Sequence, residues 1–178
     1  MGLKEDLENI LKESGRSRDS LKSAAKIISK FVSESLKVKQ DEVAILLLTS
    51  TQSTLKFIWP PPLFDSNAAL PANYQSAFAS SVLKTLKGKV DNKVAESRHL
   101  KFFENVKGIE TSGIPIQKMI GVPLIYEGKG IGVLEVSKKG RTAETAGPNF
   151  TADDGQKLVA IAKEFVPIVA AMVPDPFF

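Results

Sequence analysis

Lys118-Met119-Ile120-Gly121-Val122-Pro123-Leu124-Ile125-Tyr126 and Ile131-Gly132-Val133-Leu134-Glu135-Val136 are two apolar, β-branched runs joined by Glu127-Gly128-Lys129-Gly130. Such runs around a short glycine-bearing polar segment predict an antiparallel hairpin. Glycine suits the reversal because a tight turn needs positive φ, which it adopts without steric cost. Neither run alternates strictly, so both faces of the hairpin are expected to be covered. That places it at the centre of a sheet.

Working outward, Val43 to Leu48 is a continuous apolar run, the profile of a strand buried on both faces. Thr54 to Trp59 alternates and is expected to pair with it, and Pro60-Pro61-Pro62 stops it because proline cannot donate to a ladder. Residues 63 to 73 read as irregular, Tyr74 to Leu86 as a helix, Lys89 to Val94 as a short strand, and Leu100 to Phe103 as a helical turn. Thr111 to Pro115 reads as a loop and Lys138 to Asn149 as an exposed polar connection. Thr151 opens a last helix with Leu158, Val159, Ile161, Ala162, Phe165, Val166, Val169 and Met172 on its apolar face. Pro167 inside that pattern is expected to kink or end it.

At the amino end, Leu3, Leu7, Ile10, Ser14, Ser17, Leu21, Ala24, Ile28, Phe31, Ser35 and Val38 step alternately by four and three. That spacing fits a seam with a second subunit or a helix packed on its own sheet. Residues 1–18 are read as an amphipathic dimerisation segment and 19–178 as one domain, with Gly15-Arg16-Ser17 between two helices and Asp19 or Ser20 as the cap. Helices at both ends around a block of strands predict an α+β layer arrangement.

Composition narrows the chemistry. The 178 residues are 43% apolar and 25% charged, with a net charge of +4 and acids dispersed among the bases. This is a soluble globular profile, and a cytoplasmic location is expected. The longest apolar run, Phe165 to Val173, falls short of the roughly 18 residues a membrane span needs. There is no cysteine, which excludes disulfides, thiolate metal sites and thiol nucleophiles. One histidine, His99, cannot close a metal site, and no nucleophile–base set stands out, so neither a metal nor catalysis is expected. His99 reads as either a ligand contact or a surface residue. The basic run from Lys84 to Lys107 lacks the exposed aromatics and recognition helix of a nucleic-acid surface. Gly128-Lys129-Gly130 is explained by the hairpin turn and not by a phosphate loop.

The hairpin residues, together with Phe150-Thr151-Ala152-Asp153-Asp154 leading into Leu158 and Ile161-Ala162, resemble the GAF domain family over about residues 20 to 172. The resemblance implies a GAF-like (PAS/profilin-like) antiparallel sheet of six or so strands, with the N- and C-terminal helices on one face. Segment 63–116 would then roof a small-molecule pocket on the other face. Its candidate wall is Trp59, Phe78, Arg98, His99, Phe102, Phe103 and Met119, each of which also reads as ordinary core or surface. Cyclic-nucleotide-binding members carry Asn-Lys, Phe and Asp-Glu, where this chain has Ser137, Lys138, Phe150, Asp154 and Gly155. The family implies a brace between Lys138 and Asp154, whereas Thr151 and Asp154 also fit a capping box. Bilin attachment and methionine sulfoxide reduction in this family need cysteines that the chain lacks. The function implied is a homodimeric sensor of an unidentified small molecule that signals through its dimer or a protein partner, with no cofactor specified. The alternative is a degenerate, ligand-free GAF fold serving as an interaction or dimerisation module.

Overall fold

The computed structural model describes residues 2–74, 76–96 and 104–178. The hairpin forms as expected from β5 (Ile116–Tyr126) and β6 (Lys129–Lys139), paired from Ile116 with Lys139 to Tyr126 with Lys129. Its turn takes positive φ at Glu127 (50°) and Gly128 (77°), the pattern that matches strand twist in two-residue turns. Gly130 has a different task. It pairs with Ile125 inside the ladder, and a Cβ there would lie 2.7 Å from Leu86 Cδ2 and 2.9 Å from Leu83 Cδ1. Those leucines belong to α4 (Phe78–Thr85) and its cap, so this glycine admits a helix rather than a bend.

The remaining strands are β1 (Val43–Leu48), β2 (Thr54–Trp59), β3 (Ala69–Pro71) and β4 (Lys89–Asp91). They complete an antiparallel sheet ordered β3-β2-β1-β6-β5-β4, so β1 and β6 are innermost. β1 is covered on both faces. Val43, Ile45 and Leu47 point to one apolar cluster and Ala44 and Leu46 to another.

One face carries α1 (Leu3–Ser14), α2 (Arg18–Leu36) and α5 (Ala152–Met172). Gly15 ends α1 at φ 63°, and the Ser17 side chain accepts from Ser20 N at 3.1 Å to cap α2, ahead of the expected Asp19 or Ser20. α5 starts on a capping box: Asp154 N donates to Thr151 Oγ1 and Thr151 N to Asp154 Oδ2. It runs unbroken through Pro167, which sits on the exposed side, as does Val159, which follows the buried Leu158 around the helix and so leaves the expected apolar face. Leu3 and Leu7, offered by their spacing to a second subunit, are buried by the chain's own α2 and α5. The first helix therefore belongs to the domain's core and is not a segment apart. Each fully buried leucine or phenylalanine of this layer contributes about 1.5–3 kcal/mol.

The other face is covered by the connection from β2 to β5. Segment 63–73, read as irregular, contains the end of α3 (Pro61–Asp65) and β3, and prolines at the first two positions explain why that helix can start there. α4 is shorter than the 74–86 expected, and β4 stops at Asp91 before a 3-10 turn at Val94–Glu96. The helical turn expected at Leu100 to Phe103 lies outside the described residues. In the 138–149 connection Lys138, Lys139 and Gly140 are buried rather than exposed.

Candidate functional site

Parity along the strands decides which side chains face the β2–β5 connection. On β6 these are Val133, Glu135, Ser137 and Lys139, and on β5 Met119 and Gly121. Phe78, from α4, lays its ring edge on Gly121, where an added Cβ would be 2.7 Å from Cε1. Two of the expected wall residues, Phe78 and Met119, are thus brought to one surface. Trp59 is not. A register shift between Ile45 and Leu46 pairs Trp59 with Ile45 and Phe57 with Leu46, so alternation breaks at Ile58. Trp59 consequently enters the helix-side cluster, its indole Nε1 donating to Gln40 O at 3.0 Å. Arg98, His99, Phe102 and Phe103 lie outside the described residues.

Lys138, Phe150 and Asp154 meet on the helix side. Lys138 Nζ donates to Pro148 O at 2.7 Å and lies 4.5 Å from the centre of the Phe150 ring. Asp154 is occupied by the cap on Thr151 and makes no ion pair with Lys138. Desolvation lowers the Lys138 pKa, and Asp154 opposes that only through its field. The cap is the contact that forms, and the brace runs from Lys138 to a carbonyl and a ring.

The residue that the sequence reading passed over is Glu135. It is 3% exposed, sits opposite Ala44 on β1 and Gly121 on β5, and has no hydrogen-bond or ion-pair partner among the described residues. Burial raises its carboxyl to about 8. Its signal was available: an acid in a run of valine, leucine and isoleucine, at the parity of Val133.

Beyond Glu135 the same face holds a polar strap. Lys139 Nζ donates to Thr111 Oγ1 at 3.0 Å, Thr111 N donates to Asp41 Oδ2 at 3.1 Å, and Ile116 N donates to Glu104 Oε1 at 3.0 Å. Glu42 Oε2 accepts from Lys139 N at 2.7 Å. Desolvation raises the Glu42 carboxyl and lowers the Lys139 ammonium. This strap ties the loop before β5 to the 3-10 turn at Gln40–Glu42, between α2 and β1.

Among the described residues, clefts open at three places. One of about 490 Å³ runs between β4, β5 and α5, lined by Val90, Val122, Gly155 and Val159 among others. A second, of about 320 Å³, lies at Tyr126, Ile131 and Val173. The third, of about 640 Å³, lies at Tyr74, Ser80 and Lys84. Trp59, Phe78 and Met119 line none of them. Among the described residues no group of three or more His, Asp or Glu could hold a metal, and no helix is long and apolar enough to cross a membrane.

Neither a family model nor a curated protein matches the sequence. Solved structures do match the fold. The GAF domain of an Acinetobacter phosphoenolpyruvate-protein phosphotransferase is 18% identical, with a TM-score of 0.61 over 93% of this chain and 91% of that one. Residues 122 to 287 of a methyl-accepting chemotaxis protein are 11% identical, with a TM-score of 0.68 over 96% of both chains. A type II free methionine-R-sulfoxide reductase from Thermoplasma acidophilum is 17% identical, with a TM-score of 0.60 over 88% of this chain and 97% of that one. The chain has a GAF-like α+β fold. Because reductases share it, the fold by itself does not separate regulatory members from enzymes.

Proposed function

We propose that the chain is a regulatory, sensory GAF-like module, working in the cytoplasm, that binds a small molecule between the sheet and segment 63–116. The observation that carries this reading is Glu135. A lone carboxyl in the middle of a core-forming face destabilises the fold relative to valine or leucine there. A ligand that supplies its missing partner accounts for keeping it. The strap through Thr111 and Asp41 links that face to the end of α2, so a change beneath the loop has a route to the terminal helices. From there a protein partner or a second copy would read it. The phosphotransferase GAF domain and the chemotaxis-protein segment, which share the architecture, support a place in signalling.

A specific observation favours a second reading, a ligand-free interaction module. Leu46, Phe57, Leu70, Val82 and Val133 pack this face as an ordinary core. A thermal-shift screen against nucleotides, amino acids, tetrapyrroles, small anions and organic amines separates the two. A ligand that binds only the folded state raises the melting temperature. A class of compounds that does so, with the shift lost in Phe78→Ala or Glu135→Gln, supports the sensor. A flat response across the screen leaves the interaction module.

A further inference from the structure

We propose that the open edge of β4 is a docking surface for a second copy of this chain, with Lys89-Val90-Asp91 pairing antiparallel with the same three residues across a two-fold axis. This goes beyond the sensor reading, which neither requires it nor falls with it.

The first ground is the contrast between the two ends of the sheet, β3 and β4. β3 closes on Pro71, which has no N–H to offer a further strand. β4 carries no proline, and among the described residues nothing pairs with its outer edge. Val90 is 42% exposed there, although Ile120, its partner on β5, is buried. α5 packs on β5, and the cleft of about 490 Å³ separates it from β4. Val90 lies on one wall of that cleft and Val159, 38% exposed, on the other. The apolar layer is thus left open along this edge.

The second ground is charge, and it selects the occupant. Lys89 and Asp91 lie in register with Gly121 and Met119, so both point to the loop face, while Val90 follows Ile120 to the helix face. Lys89 Nζ is 5.0 Å from the centre of the Phe78 ring and Asp91 Oδ1 accepts from Lys93 N at 2.9 Å, so both charges are already held on that face. A two-fold axis through Val90, normal to the sheet, sets Lys89 opposite Asp91 of the second copy and Asp91 opposite its Lys89. Val90 then meets its own counterpart. Directly opposed residues have Cβ atoms about 4.5–5.5 Å apart, close enough for unlike charges to attract and like charges to repel. Slipping the pairing by two residues either way sets Lys89 against Lys89 or Asp91 against Asp91, so the charges also fix the register. A lysine on an edge strand ordinarily keeps other strands away. Here the acid two residues along answers it, but only in a copy turned antiparallel.

Joined in this way, the two sheets continue as one, the two clefts meet, and Val90 of each copy covers the other. Lys87 and Lys93, beyond the ends of β4, come opposite each other and stop the ladder from lengthening. The joint is therefore short, and the dimer should depend on concentration.

The test is sedimentation velocity of the full chain over a range of concentrations, for the wild type, Lys89→Asp and Asp91→Lys. The expected result is a wild type that dimerises and two variants that are each monomeric, because every charge across the joint then meets its like. Mixing the two variants should restore a dimer, since each supplies the charges the other needs. Circular dichroism checks that both fold. A second probe does without charge variants. The chain has no cysteine, so Val90→Cys introduces a single thiol that should cross-link under mild oxidation faster than Phe31→Cys, an exposed site on α2. A wild type that stays monomeric leaves the edge to a strand of another protein and overturns the proposal. So does a dimer that persists in both charge variants, or one that is lost in both and not regained on mixing. Equal cross-linking at the two sites overturns it as well.

Discussion

The two faces of the sheet differ in one buried charge. On the helix face the buried charges are lysines, and each has a carbonyl. Lys56 Nζ donates to Phe178 O, Lys118 Nζ to Gly147 O and Lys138 Nζ to Pro148 O, all at the margin of the apolar layer. On the loop face Lys139 and Glu104 are likewise partnered, by Thr111 Oγ1 and by Ile116 N, but Glu135 stands mid-sheet between Ala44 and Gly121 with no hydrogen-bond or ion-pair partner among the described residues. A long amine can reach a nearby backbone oxygen at the edge of a core, whereas a short carboxyl flanked by alanine and glycine reaches nothing. The first arrangement completes a structure. The second leaves a buried carboxyl without a partner, and that difference marks the loop face as the less completed of the two.

The largest expected effect tests the helix face. Phe165 is fully buried among α1, α2 and the sheet, so Phe165→Ala should cost about 3–5 kcal/mol in chemical denaturation. Phe78→Ala on the loop face should cost less, about 1–2 kcal/mol, because that ring is only half-buried. Equal losses would break the distinction between a closed layer and an open one.

Next in size is the pH dependence of Glu135. Its carboxyl is raised to about 8 in the folded chain, against about 4.3 in an unfolded one. Between those values the folded state holds more protons. The contribution is therefore fully present below the unfolded pKa and is lost as pH rises through the folded one, by up to about 1.4 kcal/mol per pH unit. Denaturation of the wild type and Glu135→Gln from pH 5 to pH 8.5 should show their difference growing by a few kcal/mol in the variant's favour. Parallel curves would mean the carboxyl is already paired.

How far the sequence foretold this follows from what each signal encodes. The hairpin, β1 and the last helix were legible because apolar periodicity and cap chemistry are local, and Thr151 with Asp154 makes the expected box. Alternation misplaced Trp59, since a bulge set by the pairing of β1 with β2 cannot be seen within one strand. The spacing of Leu3 and Leu7 fits a second subunit or the chain's own layers equally, because spacing does not say what lies across it; in the structure α2 and α5 do. Glu135 was overlooked because its isolation comes from the residues opposite it on two other strands. A search for acids at core parity would have found it.

Smaller effects probe the margin of the helix face. Lys138→Met keeps the packed stem but removes a hydrogen bond to Pro148 O and the contact with the Phe150 ring. Relief of desolvation offsets part of that, leaving a loss of about 1 kcal/mol. Thr151→Ala should cost about 1 kcal/mol by uncapping α5. The smallest quantity discriminates most. In a double-mutant cycle Lys138→Met and Asp154→Asn should add to within about 0.5 kcal/mol, because no ion pair joins them. Thr151→Ala and Asp154→Asn should not add, since each side chain holds the other's backbone N–H and losing either undoes half of one device. Strong coupling in the first cycle and none in the second would move Asp154 from the helix cap to the Lys138 brace, and with it the margin of the helix face from carbonyl-held lysines to an ion pair.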